Sequence, residues 1–280
     1  MTQPTLWDDT EALLEDWVAW QRMQNLSERT ITERIITVRA FFDAQNCTPR
    51  TMATMDIARF CGRPELSAAS RHTYHGELRA FSTWMVKLGV RPDDPSAAAP
   101  IPKRPRSRPR PVPMRVLRDI YASINRERTR AYFLLALLAG MRVHEVAKVR
   151  GEDFDLERGA LTITGKGGKT QLIPLAPELR DLAERMPRRG YWFPAYTIEG
   201  CVTRDAVYKG IKNAMRRAGH PDLQPHQLRH SYGTELLRAG ADVRTVQELM
   251  RHDDLNTTQG YTEPGWDAMV FAVESLRLAA

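Results

Sequence analysis

The chain has 280 residues, 42% of them hydrophobic and 27% charged, which is enough for one large or two ordinary domains with their own cores. That balance argues against a fibre, a disordered tail or a membrane-embedded protein, and the net charge of +7 points toward an acidic partner. The three cysteines, Cys47, Cys61 and Cys201, are far apart and odd in number, so neither a disulfide framework nor a structural zinc site is expected.

The first 97 residues read as helical. Glu11–Met23 carries Leu13, Leu14, Trp17, Val18 and Trp20 at helical spacing. Ser27 is placed to cap a second helix with Ile31, Ile35, Val38, Phe41 and Phe42 on one face. A short third helix is expected over Thr51–Phe60. A fourth is expected from Ser67 to Leu88, with Tyr74, Leu78, Phe81, Met85 and Leu88 inward and Gly89 closing it. Four helices with short connections imply a small bundle.

A break follows. Ala97–Pro113 holds six prolines interleaved with arginines, and such a stretch forms an extended, semi-rigid strap. The organisation expected is therefore a helical domain over 1–97, a basic linker over 98–113 and a second domain over 114–280. From Ile101 to Arg118 there are seven basic residues and no acidic one, including Lys103, Arg104, Arg106, Arg108 and Arg110. A segment this basic suits a polyanion, because each neutralised phosphate releases condensed counterions; it also suits a solubilising linker.

The second part opens with helices over Met114–Arg126 and Arg128–Val149, the latter broken near Gly140. The period then changes. Leu161-Thr-Ile-Thr and Gln171-Leu-Ile-Pro-Leu read as two strands around the turn Gly165-Lys166-Gly167-Gly168-Lys169. Helices return over Pro177–Met186, Arg204–Ala218, Pro225–Ala239, Val243–Arg251 and Trp266–Leu278. The fold class is mainly α, a four-helix bundle plus a mostly α domain with one small antiparallel sheet.

Four pieces carry candidate chemistry: Gly140-Met-Arg142-Val-His-Glu145, the turn lysine Lys166, His226-Gln-Leu-Arg229-His230, and His252 with Tyr261 nine positions later. Each alone has an ordinary structural role open to it. Arg142 and Glu145 can form an i,i+3 ion pair, a turn lysine is usually just solvated, and a lone tyrosine is usually core or surface. The string Gly168-Lys169-Thr170 hints at a phosphate-binding loop, but the glycine that loop needs at 163 is Ile163, and the turn joins two strands.

In this order the pieces resemble the active-site set of the tyrosine recombinase (phage integrase) family: Arg, Lys, His-x-x-Arg, His and Tyr. The strings His226–Leu237 and Leu255-Asn-Thr-Thr-Gln-Gly-Tyr261-Thr resemble that family's two best-marked boxes. Leu78-Arg-Ala-Phe-Ser-Thr-Trp84 and Asp94-Pro95 resemble its core-binding domain. The resemblance covers nearly the whole chain, and it implies a SAM-like core-binding bundle and a catalytic domain closing as a C-shaped clamp on DNA. It implies Arg142, Arg229 and His252 as phosphate donors, Tyr261 as the nucleophile, His226 as its base and Lys166 as the acid for the leaving 5′ oxygen. Glu145 would orient its neighbours. Two planar guanidiniums suit the non-bridging oxygens of a phosphodiester and the charge its transition state gains.

Such chemistry uses no metal and no other cofactor. The resemblance further implies double-stranded DNA core sites as the partner and a homotetramer joined through the 266–278 helix; the sequence leaves open whether a separate accessory excision factor exists. The lack of a basic-then-apolar leader and of a membrane-length apolar run sets the expected place as the cytoplasm, on the host nucleoid. Because the first helix begins by about Asp9, no arm-binding domain is expected, as in compact phage or mobile-element integrases and Xer-type dimer resolvases. A type IB topoisomerase and a non-catalytic DNA-binding regulator remain as alternatives. The chain departs from the family pattern at Arg251, where glycine is frequent, at Gly260, where a bulkier residue is usual, and at Glu263-Pro264, where histidine is frequent.

Overall fold

The computed structural model describes residues 6–103, 110–165, 168, 170–251, 265–276 and 278. The chain divides into two compact units, Met1–Ser107 and Arg108–Ala280.

The first unit is four helices: α1 (Leu6–Met23), α2 (Glu28–Gln45), α3 (Thr54–Cys61) and α4 (Ala68–Lys87). Ser27 and Ser67 accept from the amides of Thr30 and Ser70, which fixes where α2 and α4 begin. Every residue expected on the inner face of α2 is buried. The core is aromatic. Phe81 sits 4.9 Å from Trp17 edge-on, 5.6 Å from Trp84 and 5.9 Å from Phe42. Leu88, expected inward, is 49% exposed. The α4 series stops at Lys87, and the chain turns away through Leu88 to Gly89 at φ +72°, so the 3.6-residue period no longer governs where Leu88 points. Asp94 organises the exit: its carboxylate accepts from the amide and hydroxyl of Ser96.

In the second unit α5 (Met114–Ala122) ends four residues earlier than expected, at Ser123, whose hydroxyl donates back to the Ile120 carbonyl. The expected 128–149 helix is two pieces, α6 (Glu127–Leu138) and α7 (Val143–Ala147). Ala131–Leu138 is buried on every face, which marks α6 as the central helix of this unit. It packs against α7, α8 (Pro177–Arg185), α9 (Arg204–Arg217) and α10 (His226–Arg238).

Three antiparallel strands, β1 (Phe154–Asp155), β2 (Ala160–Thr164) and β3 (Thr170–Pro174), form a sheet in that order, with Ala160 opposite Pro174 and Thr164 opposite Thr170. β1 was not anticipated; two residues are too few to show a period. β2 and β3 pair antiparallel, so the segment between them runs from strand to strand and not from strand to helix as a phosphate-binding loop does. α11 (Val243–Leu249) and α12 (Trp266–Glu274) complete the unit. Asp242 caps α11 by accepting from the amides of Arg244 and Thr245.

The stretch expected to dock on a neighbouring protomer lies, in the single chain, on its own domain. Met269, Ala272, Val273 and Leu276 join the domain core, and α12 packs on β3 and α11. Beyond the helix, the Leu278 amide donates to Glu178 and its carbonyl accepts from Arg118, so α8 and α5 both hold the tail. Phe271 remains 69% exposed on the opposite face. Among the described residues no helix is long and apolar enough to cross a membrane.

Phe81→Ala empties the centre of the first core and is expected to cost about 3–5 kcal/mol, whereas the exposed Ile36→Ala changes stability by less than about 0.5 kcal/mol. Urea unfolding of the two variants checks both values.

Candidate active site

Of the residues implied in chemistry, Arg142, Glu145, His226 and Arg229 are described; Lys166, His252 and Tyr261 lie outside the described residues. In the basic strap Lys103 and Arg110 are described and exposed, while Arg104, Arg106 and Arg108 lie outside.

The site is built on the corner between α6 and α7. The chain leaves α6 at Ala139 and turns at Gly140, φ +56°. There is no room for a side chain: a Cβ on Gly140 would lie 2.5 Å from Cδ1 of the buried Tyr232. Arg142 then stands as the N-cap of α7 in extended conformation. Glu145 reaches back to it. Oε2 accepts from the Arg142 amide at 2.8 Å and Oε1 from Arg142 Nη1 at 2.9 Å. The cap satisfies an amide that the helix start would otherwise leave open. The Glu145 side chain is 1% exposed and that of Arg142 is 31% exposed, so the arginine still reaches solvent.

Two further guanidiniums converge on this corner. Arg229, on α10 and itself buried, donates through Nη1 to the Gly140 carbonyl and through Nη2 to the Met250 carbonyl. Arg251 follows α11 at φ +52°, and its side chain is buried. Its Nη1 donates to the carbonyls of Ala139 and Leu249 at 3.1 and 3.2 Å, and its Nη2 to the Gly140 carbonyl and Glu145 Oε2, both at 3.0 Å. The Arg251 carbonyl in turn accepts from Arg142 Nη2 at 3.4 Å. Arg142 and Arg229 therefore end on consecutive carbonyls, those of Arg251 and Met250, directly before His252 in sequence.

Residue types explain the charge states. Burial would raise the Glu145 carboxyl, but the Arg251 guanidinium, the Arg142 amide and the Arg142 guanidinium outweigh it and hold the group below the ordinary carboxylate range. Burial, then the charges of Arg251 and Arg142, push Arg229 down to about 9. At pH 7 it is still a cation.

His226 opens α10 one turn before Arg229, and its ring meets that of His230 edge-on at 4.5 Å. Burial lowers the His226 pKa below its ordinary 6.5, and His230, Arg229 and Arg142 lower it further. His226 is thus a neutral base at pH 7.

Two tethers place these elements. The strap's last residues grip α10: Gln227 Nε2 donates to the Arg110 carbonyl at 3.0 Å, and the Val112 amide donates to Ser231 Oγ at 2.8 Å. On the other side Gln171 Nε2 of β3 donates to the carbonyl and carboxylate of Glu248 on α11, at 2.7 and 2.8 Å. The loop-side end of β3 is thereby tied to the helix leading to Arg251. Tyr232, on α10 beside the corner, is wholly buried, and burial raises its phenol far above the ordinary value, which rules it out as a nucleophile.

The phage integrase family pattern matches residues 114–265, more than half of the chain. The chain belongs to the phage integrase family. It is a tyrosine recombinase, a site-specific recombinase of the Xer type. It is 31% identical to the tyrosine recombinase XerD of Lacticaseibacillus casei over 89% of this chain and 84% of that protein. It is 34% identical to XerC of Erythrobacter litoralis over 66% of this chain and 65% of that one. Among solved structures, the integrase of mycobacterium phage Brujita is 40% identical, with 95% and 93% of the two chains covered and a TM-score of 0.58. A lambda integrase dimer bound to a COC′ core site has a TM-score of 0.74 at 16% identity, over 90% of this chain and 98% of that one. That likeness shows a shared fold, mostly helical with a small three-stranded sheet.

Sequence reasoning noticed Arg251 only as a departure from the family pattern and missed its place in the site. The signal was a long cation at a position where the family pattern frequently has glycine. It does not say where that cation goes.

Gly140→Ala must accept a left-handed φ, about 1–2 kcal/mol, and crowd Tyr232, about 1–3 kcal/mol more. Thermal unfolding of this recombinase variant is expected to show a loss of about 2–5 kcal/mol.

Proposed function

We propose that this recombinase integrates and excises phage or mobile-element DNA through a covalent 3′-phosphotyrosine on Tyr261. The observation that carries the reading is the cationic corner. Arg142, Arg229 and Arg251 meet there, and the ion pairs of Arg142 and Arg251 among the described residues run to one carboxylate, Glu145. Three positive charges against one negative make an anion-binding site, and Arg142 is open to solvent beside it.

A DNA phosphodiester supplies that anion. Arg142 and Arg229 hold the non-bridging oxygens with His252 as a third donor, and they stabilise the added charge of the five-coordinate phosphorus. The Tyr261 oxygen attacks phosphorus and its proton passes to His226. The bond to the 5′ oxygen breaks, and Lys166 protonates that oxygen. The broken bond's energy stays in the phosphotyrosine until a 5′-hydroxyl from the second duplex attacks and releases the tyrosine. Glu145 positions Arg142, and Lys103, Arg104, Arg106, Arg108 and Arg110 bind the DNA backbone without reading sequence. The reading routes no step through a metal.

The phage role draws on the 40% identity to the Brujita integrase across almost the whole of both chains, against 30–34% for the Xer relatives. Assembly as a tetramer that exchanges strands through a Holliday junction draws on the shared fold with a lambda integrase tetramer bound to a Holliday junction. The 266–278 stretch is proposed to link the protomers there by leaving its own domain.

Purified protein is incubated with nicked DNA bearing a candidate core site, with chelator, and denaturing electrophoresis detects a protein–DNA adduct. Wild type is expected to form the adduct and Tyr261→Phe to form none; no adduct on a site that the protein binds leaves a DNA-binding regulator. Strand exchange between two labelled duplexes separates recombination from same-strand rejoining by a topoisomerase. Arg142→Lys is expected to slow cleavage by about 10²–10³-fold, the usual loss of one oxyanion donor.

The acid limb of the kcat/KM profile, which reports the free enzyme, follows from His226. His226 titrates below 6.5, so activity holds from pH 7 down past 6.5 and falls only as the base becomes protonated.

A further inference from the structure

We propose that Arg251 is a positioning residue of this recombinase, a buried guanidinium that locks the Gly140 corner and Glu145 and thereby sets Arg142 and Arg229; this rests on the cleavage role proposed above. Four hydrogen bonds carry the inference. Two run to the carbonyls of Ala139 and Gly140, one to Leu249 and one to Glu145 Oε2. A single planar fork therefore ties the end of α6 to the end of α11, more than a hundred residues apart in sequence.

The contacts are arranged around the groups that matter. Glu145 Oε2, which Arg251 holds, is the oxygen that accepts the Arg142 amide. Its other oxygen holds the Arg142 guanidinium. The Gly140 carbonyl accepts from both Arg251 and Arg229. Finally, Arg142 Nη2 donates to the carbonyl of Arg251 itself. Without the Arg251 guanidinium, Glu145 would keep one cationic partner and would be free to rotate with it.

The backbone adds a second line. Arg251 sits at φ +52°, a conformation that costs an arginine and costs glycine nothing. A non-glycine residue held there is expected where the side chain returns more than the strain takes. It also makes a clean substitution available, since Arg251→Gly removes the guanidinium and relieves the backbone.

The test compares full-length wild type, Arg251→Gly and Arg251→Lys in two ways. Hydrogen exchange on the free protein needs no catalysis. In Arg251→Gly, amides of 139–147 are expected to exchange about tenfold faster or more, while those of the α4 core in the first unit keep wild-type protection. Single-turnover cleavage at saturating DNA is expected to fall about 10- to 100-fold, with DNA affinity within about threefold of wild type. Arg251→Lys restores part of both. Glu145→Gln combined with Arg251→Gly is expected to be no slower than the slower single variant, because both act through one contact.

Wild-type exchange over 139–147 in a folded Arg251→Gly protein overturns the proposal, as does wild-type cleavage. Parallel loss of protection throughout the second unit, with DNA binding lost alongside, also overturns it, because the side chain is then only structural. If wild type forms no adduct, the cleavage reading fails, and the exchange comparison still decides whether Arg251 locks the corner.

Discussion

A carboxylate that is 1% exposed survives as an anion only if the protein replaces the water it has lost, and at Glu145 two guanidiniums and a backbone amide do so. The rest of the site depends on that arrangement. Glu145 fixes Arg142 at the start of a five-residue helix that is too short to hold its own geometry. Through Arg251 it joins α7 to the end of α11, the point from which the chain runs on toward His252 and Tyr261. Removing one guanidinium would leave the buried Glu145 with a single cationic partner and loosen the others it holds.

The same cluster is unbalanced by design of its residue types. One buried carboxylate orders the arginines without neutralising them, and the remaining positive charge waits for an anion. Burial, and then the charges of Arg251 and Arg142, raise the cost of keeping Arg229 charged. A phosphate bound beside it would offset that cost. Burial above all, and then His230, Arg229 and Arg142, keep His226 neutral.

Placement comes from ordinary packing. The buried helix α6 ends at the Gly140 corner. α10 crosses α6 with His226 and Arg229 one turn apart, and the strap's final residues are hydrogen-bonded to it. Gln171 holds the β-hairpin against α11. Arg142, Glu145, His226 and Arg229 are each carried on an element whose position the core or a specific tether decides.

Periodicity and caps made much of the fold legible beforehand. The inner face of α2, the Ser27 cap and the pairing of β2 with β3 are local signals, because i,i+4 spacing, a capping hydroxyl and a hairpin need only a few neighbouring residues. The identity and order of Arg142, Lys166, His226, Arg229, His252 and Tyr261 were likewise present in the chain itself. Other features were not. Leu88 kept the period of α4 but not its direction, and the apolar face of α12 said that it needs cover without saying whose. Arg251 stood in the sequence as an oddity, since a long flexible cation carries no record of where it ends. Residue identities along the chain fix which groups are available and in what order. That Arg142, Glu145, Arg229 and Arg251 share one corner is a product of folding, because contacts across a hundred residues form when the core closes, and no local pattern encodes them.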